Sequence, residues 1–240
     1  MENNESGGLI KQAVLLDAFK YSIPVLLGYI TLGIAFGFMV TGSGYPWWLA
    51  LVMSLWMFAG AGQFIALGLF AAGTSLWQVC LIQLVVNIRH TAYGLSMLKR
   101  FSDTGFFKPY LVFSLTDETF ALLSSLPETE NGRRHFMIYV AVLNQLYWVS
   151  GSLAGALAGT LIPFSMKGVS FALTALFVVL MMEQIMRIKK AGIFIVSAAS
   201  ALLGVFILPG NISLLAALAL ALFLSSFIER QGFTKGGGHD

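Results

Sequence analysis

Apolar residues run through this chain in long blocks separated by short polar punctuation. Eight blocks stand out, at about residues 21–41, 47–70, 75–98, 109–126, 136–161, 168–186, 191–209 and 211–228. A bilayer-spanning helix needs about 20 such residues, and the blocks are apolar on every side. A transmembrane barrel would instead alternate apolar and polar positions. The separators are turn formers: Gly42-Ser43-Gly44-Tyr45-Pro46, Ala72-Gly73-Thr74, Pro163 and Pro209-Gly210-Asn211. Trp47, Trp48 and Trp77 sit at block edges, where indole favours the headgroup level. The pattern predicts an all-α polytopic transmembrane helical bundle. Residues 1–20 read as a cytoplasmic N-terminal segment, 21–228 as a single transmembrane domain and 229–240 as a cytoplasmic tail.

Composition sharpens this reading by exclusion. Of 240 residues, 58% are hydrophobic and only 10% are Asp, Glu, Lys or Arg, against about 25% charged in an ordinary globular domain. Mean hydropathy is +0.83. No charged residue occurs from 21 to 88, a run of 68, or from 191 to 228, a run of 38. A soluble fold is excluded. The single cysteine, Cys80, lies inside an apolar block, which removes intrachain disulfides and cysteine-rich metal sites. The net charge of +3 suits juxtamembrane Lys and Arg better than a nucleic-acid surface. Acidic Glu2 and Glu5 replace the basic start of a signal peptide, so the first span is expected to be retained.

Orientation follows from Lys and Arg in the loops. With all eight blocks spanning and the N-terminus inside, nine fall inside: Lys11, Lys20, Arg133, Arg134, Arg187, Lys189, Lys190, Arg230 and Lys235. Four fall outside: Lys99, Arg100, Lys108 and Lys167. Both termini are therefore expected in the cytoplasm. The group at 99–108 moves inside if one block on each side of it is re-entrant or broken. The candidates are 47–70, interrupted by Ala59-Gly60-Ala61-Gly62-Gln63, and 109–126, which carries Asp117 and Glu118.

Ionisable groups at bilayer depth are costly and mark functional sites by default. In the third block Gln83, Asn87, His90 and Gly94 recur at helical spacing and line one face. Arg89 lies about 100° from His90 on the same helix, so the arginine serves a partner while the stripe faces a wet cavity. The plainer alternative is an arginine that snorkels to the interface. In the fourth block the adjacent Asp117 and Glu118 cannot share a face. One is expected to pair with Arg89. The other is the candidate proton carrier, because desolvation beside a like charge moves a carboxylate towards neutral titration. Here the alternative is a helix end with both acids in water.

The alternating glycines Gly60 and Gly62, before Gln63 and Phe64, weaken a helix and suit the half-helix N-termini that hold substrate carboxylates in carriers. Asn144 and Gln145 in the fifth block are lesser candidates, and Glu183 with Arg187 reads as an i, i+4 ion pair. Gly33 with Gly37, and Gly151 with Gly155 and Gly159, form small-xxx-small faces for helix packing. Metalloprotease, nucleophile-elbow and P-loop patterns do not occur, and His90, His135 and His239 are too scattered for a metal site. Neither an enzyme nor a resident cofactor is expected.

Three stretches carry a resemblance: Ala59-Gly60-Ala61-Gly62-Gln63-Phe64, Asn87-Ile88-Arg89-His90 with Tyr93-Gly94, and Leu115-Thr116-Asp117-Glu118-Thr119-Phe120-Ala121. They resemble the signature blocks of AzlC-type permeases, the large subunits of bacterial branched-chain amino-acid exporters. The resemblance extends over nearly the whole chain in length and segment order. It implies export of valine, leucine or isoleucine across the inner membrane, together with a small AzlD-type membrane subunit of three or four spans. ATP coupling, with which such permeases are often labelled, has no nucleotide-binding segment to support it here.

The implied mechanism uses the substrate's three features. The Gly60–Gly62 break or Arg89 takes the carboxylate, Asp117 or Glu118 the ammonium, and Phe64 with its apolar neighbours the side chain, while Gln63, Asn87, His90 and Asn144 complete the polar lining. Entry of a proton drives exit of the substrate. The competing readings are a passive channel and a purely structural or sensory membrane subunit.

Overall fold

The computed structural model describes residues 2–126, 133–161 and 191–207, with isolated positions between 178 and 224. The blocks at 168–186 and 211–228 fall almost wholly outside the described residues, and so do Pro163, Glu183, Arg187, the Pro209–Asn211 turn and the C-terminal tail. Among the described residues there are helices and no strands. They are α1 (Glu2–Gly42), α2 (Trp47–Trp56), α3 (Gly60–Ala71), α4 (Leu76–Met97), a short 3₁₀ turn (Ser102–Phe107), α5 (Lys108–Phe113), α6 (Asp117–Ser124), α7 (Arg133–Leu161) and α8 (Ala191–Ile207).

Two compact units result. One comprises Met1–Gly68 with Val86–Ser170, the other Leu69–Val85 with Phe171–Asp240. Of the second unit, the end of α3, the first part of α4 and the apolar helix α8 are described.

The first unit is organised by α1 and α7. They contain the two described helices long and apolar enough to cross a membrane, at Gln12–Gly42 and Arg134–Leu161. The polar leader is helical from Glu2. It is the start of α1, whose 41 residues span about 62 Å. The glycine faces identified in the sequence meet each other. A β-carbon added at Gly33 would come within 2.9 Å of the Ser152 nitrogen, and one at Gly151 within 2.8 Å of the Ile30 carbonyl oxygen. At Gly37 and Gly155 the obstacles are again backbone, from Ser152 and Ile34, and at Gly159 it is the Thr41 side chain. Residue numbers rise together along both helices, so α1 and α7 run parallel, backbone against backbone.

The two blocks suspected of interruption are both interrupted. The first divides into α2 and α3 at Met57-Phe58-Ala59, and the second into α5 and α6 at Ser114-Leu115-Thr116. Asp117 and Glu118 mark the second of these interruptions. They are the first two residues of α6, because the Thr116 hydroxyl caps its N-terminus by accepting from the Thr119 N–H at 3.2 Å. Acids in a first turn also complement the helix dipole.

Phe101, Leu111, Leu115, Leu123, Met137, Val140 and Ala141 form a buried core that packs α5 and α6 onto α7. Arg100 closes the far end of α6. Its guanidinium donates to the Leu123 carbonyl, to Ser124 at 2.8 Å and to Leu126 at 2.7 Å. The Leu123 and Ser124 carbonyls are among those a helix end leaves unsatisfied, so one of the cations at 99–108 has a structural partner.

Replacing Gly155 with valine is expected to force α1 from α7 and destabilise the protein by about 3 kcal/mol or more, since backbone cannot yield as a side chain does. Gly28→Ala, which meets nothing within 4 Å, is expected to leave stability unchanged. Thermal unfolding and monodispersity of the two variants in mild detergent check this pair.

Candidate functional site

The first break is shaped by Phe58, which takes a left-handed φ of 38°, a conformation bulky residues rarely adopt. Its ring is buried against Tyr29 of α1 at 6.4 Å and Phe113 of α5 at 6.4 Å. The two breaks therefore touch through Phe58 and Phe113. A second tie comes from α7. Gln145 donates to the Leu55 carbonyl at 3.1 Å, at the end of α2, and accepts from the Tyr110 hydroxyl of α5 at 2.8 Å.

Beyond the first break α3 begins at Gly60, where the Gln63 N–H donates to the Ala59 carbonyl at 2.8 Å. Gly60 lies against the Trp148 indole, where an added β-carbon would sit 3.0 Å from the ring. Gly62 is buried in the same turn. Gln63 is 0% exposed. Its Nε2 donates to Ser54 at 3.2 Å and its Oε1 accepts from the Trp148 indole N–H at 2.8 Å. Phe64 is buried edge-on against Phe36 at 5.4 Å and Trp148 at 6.4 Å. The side chains of Gln63 and Phe64 thus brace α3 onto α1 and α7.

At the second break the adjacent carboxylates part company. Asp117 turns to α4, where Oδ2 accepts from Arg89 Nη1 at 2.6 Å and Oδ1 from the Tyr93 hydroxyl at 2.7 Å. The Asp117 side chain is 11% exposed and that of Arg89 34%. Tyr93 is fixed by stacking on Phe120 at 4.4 Å, and the half-buried His90 ring lies 6.0 Å from it. Asn87 is half-buried one turn earlier on α4.

Glu118 turns the other way, to α1. The buried Tyr29 hydroxyl donates to Oε2 at 2.7 Å and lies 2.5 Å from the Thr116 hydroxyl. Thr116 bonds Thr119 at 3.0 Å, and Thr119 accepts from Nδ2 of Asn144 at 3.0 Å. Asn144 is 0% exposed, and its Oδ1 has no partner. The result is a continuous polar run, Asn144–Thr119–Thr116–Tyr29–Glu118, crossing α7, α6 and α1. Its inner end is buried and its outer end, Glu118, is exposed. Among the described residues no three His, Cys, Asp or Glu side chains gather into a metal site.

The family described as AzlC protein matches residues 24–162, a stretch that contains α1 from Pro24, both breaks and α7. The chain belongs to the AzlC family. Similar proteins include the branched-chain amino acid transport protein AzlC of Bacillus subtilis, 34% identical over 87% of this chain and 85% of that protein. A membrane protein of Helicobacter pylori is 45% identical over 71% of this chain and 75% of its own length. The inner membrane protein YgaZ of Escherichia coli is 30% identical over 85% and 86%. No solved structure matches.

Sequence reasoning on this AzlC-family chain overlooked Tyr29, Thr116 and Trp148. The signal for Tyr29 was present. It stands four residues before Gly33 and eight before Gly37, on the stripe that faces α7.

Arg89→Gln strands Asp117 with the tyrosine hydroxyl alone. It is expected to cost about 2 kcal/mol, below the usual loss for a fully buried pair because Arg89 is partly exposed. The double variant Arg89→Gln with Asp117→Asn is expected to recover most of that loss. Unfolding midpoints of the single and double variants provide the measurement.

Proposed function

We propose that this chain is the large subunit of a secondary transporter in the bacterial inner membrane that exports branched-chain amino acids by proton antiport. Its expected partner is a small AzlD-type membrane subunit. Membership of the AzlC family and the branched-chain amino acid transport function for which the Bacillus subtilis relative is named support the substrate class. The observation that carries the mechanism is the meeting of two helix breaks beside a carboxylate held by one neutral donor. Helix breaks point helix dipoles at positions where the charges of a zwitterion can meet them.

In this reading the substrate carboxylate meets the N-terminus of α3 at Gly60–Gly62 and the ammonium meets Glu118. Asp117, engaged through both oxygens by Arg89 and Tyr93, anchors α4 to α6. Gln63, Phe64, Asn87, His90 and Asn144 shape the surroundings. An inward proton moving through 100 mV supplies about 2.3 kcal/mol, equivalent to a roughly 40-fold gradient. One methylene in an apolar pocket discriminates by only about 1–3 kcal/mol, so valine, leucine, isoleucine and methionine should all be carried.

Inside-out vesicles from cells co-expressing the chain and its small partner test the proposal. Labelled leucine is expected to accumulate above equilibrium under an imposed proton gradient, to collapse with an uncoupler and to be displaced by valine and isoleucine within tens-fold of leucine's own affinity. Equilibration that never exceeds the outside concentration would indicate a passive pore and overturn the antiport.

A further inference from the structure

We propose that Glu118 is one site used by two occupants, a proton or the ammonium of the substrate, and that this exclusion is what couples the two fluxes. The inference rests on the transport reading above and adds how the coupling is built. Two carboxylates are adjacent in sequence, but only one is free to exchange partners. Asp117 spends both oxygens on Arg89 at 2.6 Å and Tyr93 at 2.7 Å. Glu118 has one donor, Tyr29 at 2.7 Å, and is exposed.

A second observation points to the kind of occupant. The polar run behind Glu118 ends at Oδ1 of Asn144, wholly buried and without a partner. An unfilled acceptor at each end of the run suits a group that only donates, and an ammonium has three N–H donors and no acceptor. Tyr29 is a positioning residue. Its hydroxyl fixes Glu118 towards α1 while the ring is locked between Phe58 at 6.4 Å and Trp148 at 5.5 Å.

The charges balance. A proton from outside converts the Glu118 carboxylate to the neutral acid. At the inner face the acid gives up that proton and the carboxylate receives the ammonium of a zwitterion. The zwitterion leaves with no net charge, so each cycle carries one positive charge inward.

Several other titratable groups of the first unit are committed elsewhere. On α6 and α4 these are Asp117, Arg89 and Tyr93, already joined to one another. Tyr147 of α7 bonds Ser22 at 3.0 Å, and Tyr110 of α5 bonds Gln145. His90 of α4 also lies in this neighbourhood, its ring 6.0 Å from that of Tyr93, so it is included in the test.

The experiment measures initial rates of leucine uptake into inside-out vesicles across a range of pH and leucine concentration. Shared occupancy predicts that the apparent KM rises towards acid pH, approaching about tenfold per pH unit, while the rate at saturating leucine stays constant. His90→Gln should keep that slope and Glu118→Asp should keep it too. Glu118→Gln should raise KM at least tenfold, flatten its pH dependence and abolish accumulation, at an unfolding midpoint close to wild type. A saturating rate that falls with pH at constant KM, a slope lost in His90→Gln, or proton-driven accumulation surviving in Glu118→Gln would each overturn the proposal while leaving leucine transport in place. A wild type that moves no leucine at any pH would sink the transport reading itself, and this proposal with it.

Discussion

Backbone contact between α1 and α7 is the constraint from which the rest of the first unit follows. Lipid tails are as apolar as leucine, so two membrane helices gain little by hiding apolar side chains from them. They gain by close van der Waals approach and by hydrogen bonds across the gap. Gly33 and Gly37 on one side, with Gly151 and Gly155 on the other, leave room for backbone alone. That approach places Tyr29 against Trp148 at 5.5 Å and Ser22 within reach of Tyr147. Any side chain larger than hydrogen at these glycines would widen the gap and dissolve those contacts.

The polar groups of this unit show how little freedom a low-dielectric setting leaves. Buried hydroxyls and amides are expensive unless paired, and here they are paired in series. Gln63 is satisfied by Ser54 and Trp148, Asp117 by Arg89 and Tyr93, and Gln145 by Tyr110 and Leu55. All but the Gln63–Ser54 bond join elements that are well separated in sequence. Glu118 stands out against them with Tyr29 as its one protein donor, and so does Oδ1 of Asn144, which has none.

Much of this was legible in the sequence, for identifiable reasons. Four-residue spacing of glycine is a pattern within a single helix, so both packing faces could be found without knowing that they meet. The alternating Gly60 and Gly62 flagged an interruption in the right block, but the break lies just before them at Met57-Phe58-Ala59 and both glycines are helical within α3. The second interruption was harder to place. Thr116 followed by two acids is a helix-start signal, yet apolar Val112, Phe113 and Leu115 kept hydropathy high across it. The choice of Asp117 over Glu118 as the partner of Arg89 depends on how α4 and α6 are turned towards each other. Adjacent positions cannot reveal that. Tyr29 was missed because its place on the glycine stripe of α1 gains meaning only once the helix opposite is known.

The parallel course of α1 and α7 carries a consequence of parity. If both helices cross the membrane in the same direction, the chain between them must cross an odd number of times. The elements available are α4 and the two broken segments, α2–α3 and α5–α6. With α4 crossing once, the broken segments must either both cross or both turn back, because a mixed arrangement would leave α7 antiparallel to α1. Their fates are tied by arithmetic as well as by the contact of Phe58 with Phe113. The side of the membrane on which Lys99 lies, relative to the start of α1, therefore reports on both interruptions at once.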